Sequence, residues 1–202
     1  DEERLGTGWM WDDEPFPFSA QIGALSIDGN TVTVKATPGK LGKPPRIRVS
    51  PVPEYVRVVN RAKTVAGSGQ ALTIDRKRAE NELIISGTIG RTHPGVSVRR
   101  TVEDPARFTG AVFRELLGQE GVKLDPKSRI VTGEKGDGAK RIGRTLSPKL
   151  DTLLERMVRE RDPFYAEMLL KQLGAYVSGE GTFEAGIEAV EDFSRRIGMG
   201  TG

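Results

Sequence analysis

The sequence of 202 residues contains no cysteine and only one histidine, His93. The absence of cysteine excludes disulfides, thiolate zinc sites and a cysteine nucleophile. A single histidine cannot form a multi-histidine site, and we expect neither a metal ion nor another cofactor. Aromatic residues make up 6% of the chain. No apolar run approaches the roughly 18 residues of a transmembrane helix. These absences predict no membrane-spanning segment. They also exclude the common catalytic sites that require cysteine or several histidines.

Charge is abundant but nearly balanced: charged residues make up 29% of the sequence, and the formal net charge is +3. So small a net charge does not by itself indicate nucleic-acid binding. Six arginines form a candidate basic strip on predicted strands: Arg46, Arg48, Arg57, Arg61, Arg99 and Arg100. The aromatic residues between Trp9 and Phe18 lie in a different segment, so we interpret the strip as a solvated sheet face. We expect no nucleic-acid partner, and a basic nucleic-acid-binding β domain is the less favoured alternative.

Apolar and polar residues alternate from about Ala20 to Thr101, as half-buried strands require. Turn sequences rich in Gly, Pro, Asn and Asp separate the alternating segments. The pattern predicts strands near 21–27, 30–36, 46–49, 55–60, 71–76, 82–89 and 96–102. Asp28-Gly29 also predicts a tight hairpin between the first two of these strands.

The periodicity becomes helical after Val102. A helix is predicted from Asp104-Pro105 to about Gly118, and three more begin at Ser147-Pro148, at Asp162-Pro163 and at Thr182. Because the strands precede the helices without β–α alternation, the sequence predicts an α+β fold.

Three short segments suggest chemistry. The stretch Gly133–Arg141 is rich in glycine and lysine but fits no phosphate-loop spacing, so we interpret it as an exposed loop. Asp12-Asp13-Glu14 offers carboxylates for a hard cation, but adjacent side chains rarely converge. We interpret these three as capping, turn-forming or ion-pairing groups. His93 lies in a turn-like Thr-His-Pro-Gly sequence and is interpreted as an exposed loop residue.

Three segments, taken in order, resemble one family. They are Gly8-Trp9-Met10-Trp11-Asp12-Asp13-Glu14 leading into Ser19-Ala20-Gln21-Ile22-Gly23-Ala24-Leu25, then Val102-Glu103-Asp104-Pro105-Ala106, then Phe164-Tyr165-Ala166-Glu167-Met168-Leu169-Leu170-Lys171-Gln172-Leu173-Gly174. The sequence is similar to class C low-molecular-mass penicillin-binding proteins, the D-alanyl-D-alanine carboxypeptidase/endopeptidases of bacterial cell-wall maturation. The resemblance extends through essentially all 202 residues.

The resemblance implies a penicillin-recognising serine enzyme, in which β-rich domains are inserted into a transpeptidase-like domain. It implies a flank of that domain at 1–19, a β-rich inserted region at 20–144 and a helical portion of the transpeptidase-like domain at 145–202. It also implies peptidoglycan stem peptides and β-lactams as partners, and export to the cell envelope, the periplasm or the extracellular space.

Members of the family carry three motifs: Ser-x-x-Lys, Ser-x-Asn and Lys-Thr-Gly. In this sequence no serine has a lysine three residues later, and Lys-Thr-Gly does not occur. The register of Phe164-Tyr165-Ala166-Glu167 places the second motif on Arg161, Asp162 and Pro163. Arginine cannot relay a proton, and proline offers no side-chain amide.

We therefore expect this chain alone to be inactive. It is either a piece of a longer polypeptide or a degenerate homologue that serves as a non-catalytic cell-wall binding module. We also expect self-association, because the apolar helix faces of 145–202 would normally cover a sheet.

Overall fold

A computed structural model describes residues 4–6, 8–10, 12–125, 127–133 and 138–200. The chain divides into two compact units: Thr7–Val131, and Asp1–Gly6 together with Thr132–Gly202. The described strands and one helix belong to the first unit, which we call the β-rich unit. Three helices belong to the second, the helical unit. The predicted α+β class is confirmed.

The first sheet of the β-rich unit has three antiparallel strands, β1 (Thr31–Thr37), β2 (Arg46–Ser50) and β7 (Val96–Thr101), in the order β2-β1-β7. Alternate residues of β1, namely Val32, Val34 and Ala36, are fully buried. The intervening residues project from the opposite face, since successive side chains of a strand alternate between faces.

The second sheet is built around β6 (Glu82–Gly90). It pairs antiparallel with β5 (Gln70–Arg76), and parallel with β3 (Arg57–Asn60) and β4 (Lys63–Val65). β3 and β4 follow each other in the chain and pair with the first and last parts of β6. Leu83, Ile85 and Ile89 of β6 are fully buried.

One hydrophobic core joins both sheets and the helix α1 (Pro105–Gln119). Phe108 and Val112 of α1 pack into the cluster, and the Tyr55 ring lies 5.0 Å from the ring of Phe108. Burying each large apolar side chain contributes about 1.5–3 kcal/mol, so this cluster accounts for the stability of the unit better than any polar contact does.

One strand prediction and the hairpin prediction are wrong. Residues 21–27 form no strand, and a short 3-10 turn at Asp28–Asn30 replaces the predicted hairpin. Asn30 is fully buried, and its side-chain amide donates to the Gln21 carbonyl at 2.7 Å. The backbone φ is positive at Asp28, Gly29 and Asn30. The hydrogen bond from Asn30 to Gln21 thus holds residues 21–30 in an irregular conformation instead of a hairpin. The sequence pattern also missed the short strand β4.

The helical unit contains α2 (Leu150–Glu160), α3 (Pro163–Val177) and α4 (Phe183–Arg196). The predicted starts at Asp162 and Thr182 are confirmed, because each side chain accepts a hydrogen bond from a first-turn amide. The predicted start at Ser147 is wrong: α2 begins at Leu150, and the residue before it, Lys149, makes no side-chain cap.

Glycines set the distance between α3 and α4. A Cβ on Gly174 would lie 2.8 Å from the Gly186 nitrogen, and one on Gly186 would lie 2.8 Å from Leu170 Cγ. Both distances are too short for real side chains, so the two helices approach each other where neither has a Cβ.

Candidate functional site

The residues at the predicted second-motif position connect α2 to α3. Arg161 ends α2 in the left-handed conformation, with φ 50° and ψ 45°. The Asp162 amide donates to the Met157 carbonyl at 3.1 Å, and the Asp162 carboxylate accepts from the Phe164 amide at 3.0 Å. Pro163 occupies the first helical position, where its missing N–H costs nothing. The three residues therefore form a tight helix-to-helix turn.

The chemistry available at this turn is limited. Arg161 is an exposed guanidinium, which offers N–H donors and no acceptor. The Asp162 carboxylate caps α3, and Pro163 has no side-chain donor or acceptor. Together they supply a guanidinium, a carboxylate already engaged as a helix cap and an apolar ring, and none of them provides the side-chain hydroxyl or amide of the Ser-x-Asn motif.

Charged residues of α2 and α3 lie close to the turn. The guanidinium of Arg156 lies 5.1 Å from the centre of the Tyr165 ring, and its Nε donates to Glu160 at 3.1 Å, which raises the pKa of Arg156. Farther along α3, partial burial raises the pKa of Glu167, while Lys171 acts in the opposite direction. The Lys171 ammonium lies 4.0 Å from the centre of the Phe183 ring of α4. The Tyr165 contact joins the start of α3 to α2, and the Lys171 contact joins the middle of α3 to α4.

The acidic segment 12–14 forms structural contacts. The Met10 amide donates to the Asp13 carboxylate at 3.0 Å, and Glu14 pairs with Arg76 at 2.6 Å. The interpretation as capping and ion-pairing groups is confirmed for these two acids. Across the described part of the chain, no cluster of His, Asp and Glu could hold a metal ion.

Sequence reasoning missed Arg76, whose side chain is completely buried. Its guanidinium contacts the carboxylates of Glu14 and Glu103, the Thr101 hydroxyl at 3.1 Å and the Glu80 carbonyl at 2.9 Å. The signal was present in β5, where Arg76 continues the inward positions of Leu72 and Ile74. A charged residue on the apolar face of a strand indicates a buried ion pair.

Other positions singled out in the sequence are loop residues. Gly133 and residues 138–141 are exposed, as expected for a loop, whereas residues 134–137 of that stretch lie outside the described residues. His93 lies in a loop, as interpreted, but it is half-buried rather than exposed, and its Nδ1 accepts from the Gly95 amide at 3.0 Å.

The six arginines of the candidate basic strip do not form one surface. Arg46, Arg48 and Arg99 project from the exposed face of the first sheet, and Arg57 pairs with Glu82 at the start of β6. Arg100 instead lies 5.3 Å from the centre of the Phe16 ring and donates to the Ile74 carbonyl. Half-burial lowers the pKa of Arg100. The structure thus brings together one arginine and one aromatic ring that the sequence places far apart.

The β-rich unit also contains an open cleft of about 730 Å³. One wall is α1, with Ala111, Arg114 and Gln119, and the opposite wall is the turn carrying Val52 and Tyr55. The Tyr55 hydroxyl lies 2.8 Å from the carbonyl oxygens of both Glu103 and Asp104, which share its single hydrogen, so it supports the start of α1. The residues that line the cleft do not include the helical turn at 161–163.

Comparison with known proteins shows which family the chain resembles. The sequence profile of the D-Ala-D-Ala carboxypeptidase 3 (S13) family matches residues 1–202. The chain is 32% identical over 216 residues to a D-alanyl-D-alanine carboxypeptidase of Actinomadura sp. (strain R39), covering 100% of this chain and 39% of that protein. It is 24% identical to penicillin-sensitive carboxypeptidase A of Dictyostelium discoideum, covering 93% of this chain and 38% of that protein.

Solved structures show the same fold. The match to penicillin binding protein 4 (dacB) from Haemophilus influenzae has a TM-score of 0.75 at 19% identity and covers 100% of this chain and 45% of that one. A second structure of that protein, complexed with a novel β-lactam, has a TM-score of 0.68 at 17% identity and covers 90% and 42%. The chain thus spans about two fifths of the length of the curated relatives it matches.

Proposed function

This chain belongs to the D-Ala-D-Ala carboxypeptidase 3 (S13) family. We therefore propose that it is a fragment or a degenerate homologue of a serine-type carboxypeptidase or endopeptidase that acts in peptidoglycan maturation. Its own 202 residues lack acylating activity. The observation that carries the proposal is the family match over the whole chain, combined with the absence of Ser-x-x-Lys and Lys-Thr-Gly from the sequence.

The absent motifs define what the chain would lack chemically. A serine attacks a carbonyl efficiently when a neighbouring base takes its proton, and in this class a lysine three residues after the serine meets that need. No serine of this chain has such a lysine. Arg161 and Pro163, at the proposed second-motif position, supply neither a hydroxyl relay nor an amide. The chain would therefore act as scaffold and binding surface.

The proposed organisation assigns 1–19 to a flank of the transpeptidase-like domain, 20–144 to a β-rich insertion and 145–202 to helices of the transpeptidase-like domain. The proposed partners are peptidoglycan stem peptides and β-lactams, reached after export to the cell envelope. No helix in the described residues is long and apolar enough to cross a membrane.

Release of D-alanine from a peptide ending in D-Ala-D-Ala tests the catalytic part of this proposal. We expect no release above background from the chain, nor from the double variant Arg161→Ser with Pro163→Asn, because that variant restores one motif of three. Release by the unchanged chain would contradict the proposal. Release by the double variant alone would show that the other two motifs are not required.

A second candidate, a non-catalytic cell-wall binding module, is favoured by one observation, the replacement of both functional side chains of the second motif by Arg161 and Pro163. Co-sedimentation with purified peptidoglycan tests it. Saturable binding without any D-alanine release supports this candidate, and the absence of binding contradicts it.

A further inference from the structure

Basic residues are concentrated in one part of the chain. Between Gly29 and Val102 the sequence has fourteen Lys and Arg against four Asp and Glu, whereas the whole chain has a net charge of only +3. The strands β1, β2 and β7 of the first sheet contain no acidic residue at all. The excess of positive charge therefore belongs to the β-rich unit.

The strand register gathers three of these cations on one face of the first sheet. Lys35 of β1 lies directly opposite Arg48 of β2, and directly opposite residues share a face. Arg46 lies two residues before Arg48 and so projects from the same face. All three are exposed, whereas their strand neighbours Val34 and Val49 are buried in the core. We call Lys35, Arg46 and Arg48 the basic face.

No carboxylate of the described residues neutralises the basic face. Among the described residues, none of its three side chains forms an ion pair. The four acidic residues of the 29–102 region lie elsewhere: Glu54 in the turn before β3, Asp75 on β5, Glu80 in the following turn and Glu82 on β6. Arg99, on β7, uses its guanidinium to donate to the Thr31 hydroxyl and to the Asp28 carbonyl. The charges of the basic face are thus open to a partner.

The spacing of the basic face suits a repeating anion. Residues two apart on a strand lie about 6.8 Å from each other, and adjacent strands lie about 4.8 Å apart. Three backbone bonds of an extended chain span about 3.4 Å, so the six bonds of a glycerol phosphate repeat span about 7 Å. Successive phosphates of such a polymer can therefore meet Arg46 and Arg48 in turn, with Lys35 beside them.

We propose that the basic face binds a linear polyol-phosphate polymer, a chain of phosphodiesters without bases. Arginine holds phosphate oxygens through paired N–H donors, and the neighbouring Thr37 and Ser97 hydroxyls add further donors. The three strands contain no aromatic residue on which a nucleic-acid base could stack. This inference does not depend on the carboxypeptidase proposal, since its readout is binding alone.

The test measures the affinity of the full chain for synthetic poly(glycerol phosphate) over a range of salt concentrations. The triple variant Lys35→Gln, Arg46→Gln, Arg48→Gln removes the basic face. The matched control Lys77→Gln, Arg159→Gln, Arg195→Gln removes the same charge from exposed residues with acidic partners. A conservative variant, Arg46→Lys with Arg48→Lys, retains the charge of the face. Thermal unfolding of each variant checks that it is folded.

We expect the basic-face variant to lose affinity for the polymer by on the order of 10²-fold. Each of the three removed cations would contribute a similar factor to the affinity for a polyanion, and the three factors multiply. The slope of log affinity against log salt should flatten by about 2. The control should lose less than about threefold, and the conservative variant should still bind. Equal losses in the two triple variants, or no binding by the unchanged chain, would overturn the proposal. Tighter binding of single-stranded DNA or polygalacturonate through the same three residues would also overturn it, because the partner would then be a nucleic acid or a carboxylate polymer.

Discussion

Among the polar residues, Arg76 is the one for which we expect a large effect on stability, because its side chain is completely buried. Its buried guanidinium holds Glu14, and with it the segment 12–14, against β5, and it also contacts Glu103 just before α1. Replacing Arg76 with Met should lower the free energy of unfolding by about 3 kcal/mol, because both carboxylates lose their cationic partner and keep only neutral donors, the Ala79 amide and the Gln21 side chain. Urea unfolding measures this change.

The exposed Arg48 offers the matched control for that substitution. Arg48→Met should change the free energy of unfolding by about 0.5 kcal/mol or less, as expected for a solvated position. Equal effects of the two substitutions would show that the buried ion pairs contribute nothing specific.

The environment of Tyr55 predicts that the free energy of unfolding depends on pH in alkaline solution. Burial, aided by the negative charge of Asp104, raises the pKa of Tyr55 from 10.0 to about 12. Because the folded-state pKa lies above the unfolded one, the folded protein keeps a proton that the unfolded chain loses. The stability from this group is complete below about pH 10 and is lost as the pH rises towards 12. The free energy of unfolding should therefore fall less steeply in Tyr55→Phe over that window than in the unchanged chain.

The control for the alkaline experiment is Tyr176→Phe, since Tyr176 is exposed on α3. Its profile should follow that of the unchanged chain. Identical profiles for all three proteins would show that Tyr55 titrates with the same pKa in the folded and unfolded states.

The sequence identifies residue roles well where the interaction is local. Asp104, Asp162 and Thr182 cap their helices as predicted, because a cap needs only a side-chain oxygen a few residues from the amide it accepts. The partners of Arg76 are distant in sequence, and no local pattern reveals which carboxylates a buried arginine will meet. The left-handed conformation of Arg161 is likewise imposed by the turn between two helices.

At the scale of elements, the contact between α3 and α4 depends on Gly186. A Cβ at this position would clash with the Leu170 carbonyl oxygen, which cannot move without bending α3. We expect Gly186→Ala to lower the free energy of unfolding by about 1–3 kcal/mol, despite the better helix propensity of alanine. Unfolding followed by circular dichroism measures the change.

The control is Gly118 in α1, where we expect a change to alanine to affect stability in the opposite direction. A Cβ at Gly118 would meet no atom within 4 Å, so Gly118→Ala should raise stability by up to about 1 kcal/mol. If both substitutions stabilise the protein, the close approach of the two helices is not a constraint.

The strand predictions succeed where alternation and burial agree, and fail for two physical reasons. Segment 21–27 has enough apolar residues for a strand, but it does not pair with a neighbouring strand. The buried Asn30 side-chain amide instead donates hydrogen bonds to the Gln21 carbonyl and the Ser26 hydroxyl. β4 is three residues long and pairs parallel with β6, about 25 positions away in the chain. A short strand whose pairing is non-local leaves almost no periodic signal.

For the molecule as a whole, the helical unit exposes much apolar surface. Leu150 and Val158 of α2 are 60% and 70% exposed, and Phe193 of α4 is 61% exposed. Continuous apolar surface on a monomer favours association. We therefore expect the chain to elute above its 22.0 kDa mass in size-exclusion chromatography and to bind a hydrophobic dye. A monomeric, dye-negative chain would contradict this expectation.

The family and the fold class could be inferred from the sequence because they rest on extended segments such as Phe164–Gly174. The geometry of the proposed site could be inferred only in part. Spacing placed Asp162 and Pro163 at a helix start, and the Asp162 cap confirms it, but spacing could not reveal that Arg161 ends the preceding helix in the left-handed conformation.

The central proposal is that this chain, a member of the D-Ala-D-Ala carboxypeptidase 3 (S13) family, holds no acylating centre of its own. Intact-mass measurement after incubation with a β-lactam tests it most directly, because an acyl-enzyme carries the added mass of the drug. We predict no stable adduct on the unchanged chain or on the Arg161→Ser, Pro163→Asn double variant. A stoichiometric adduct that maps to one serine of the unchanged chain, for example Ser147, would contradict the account.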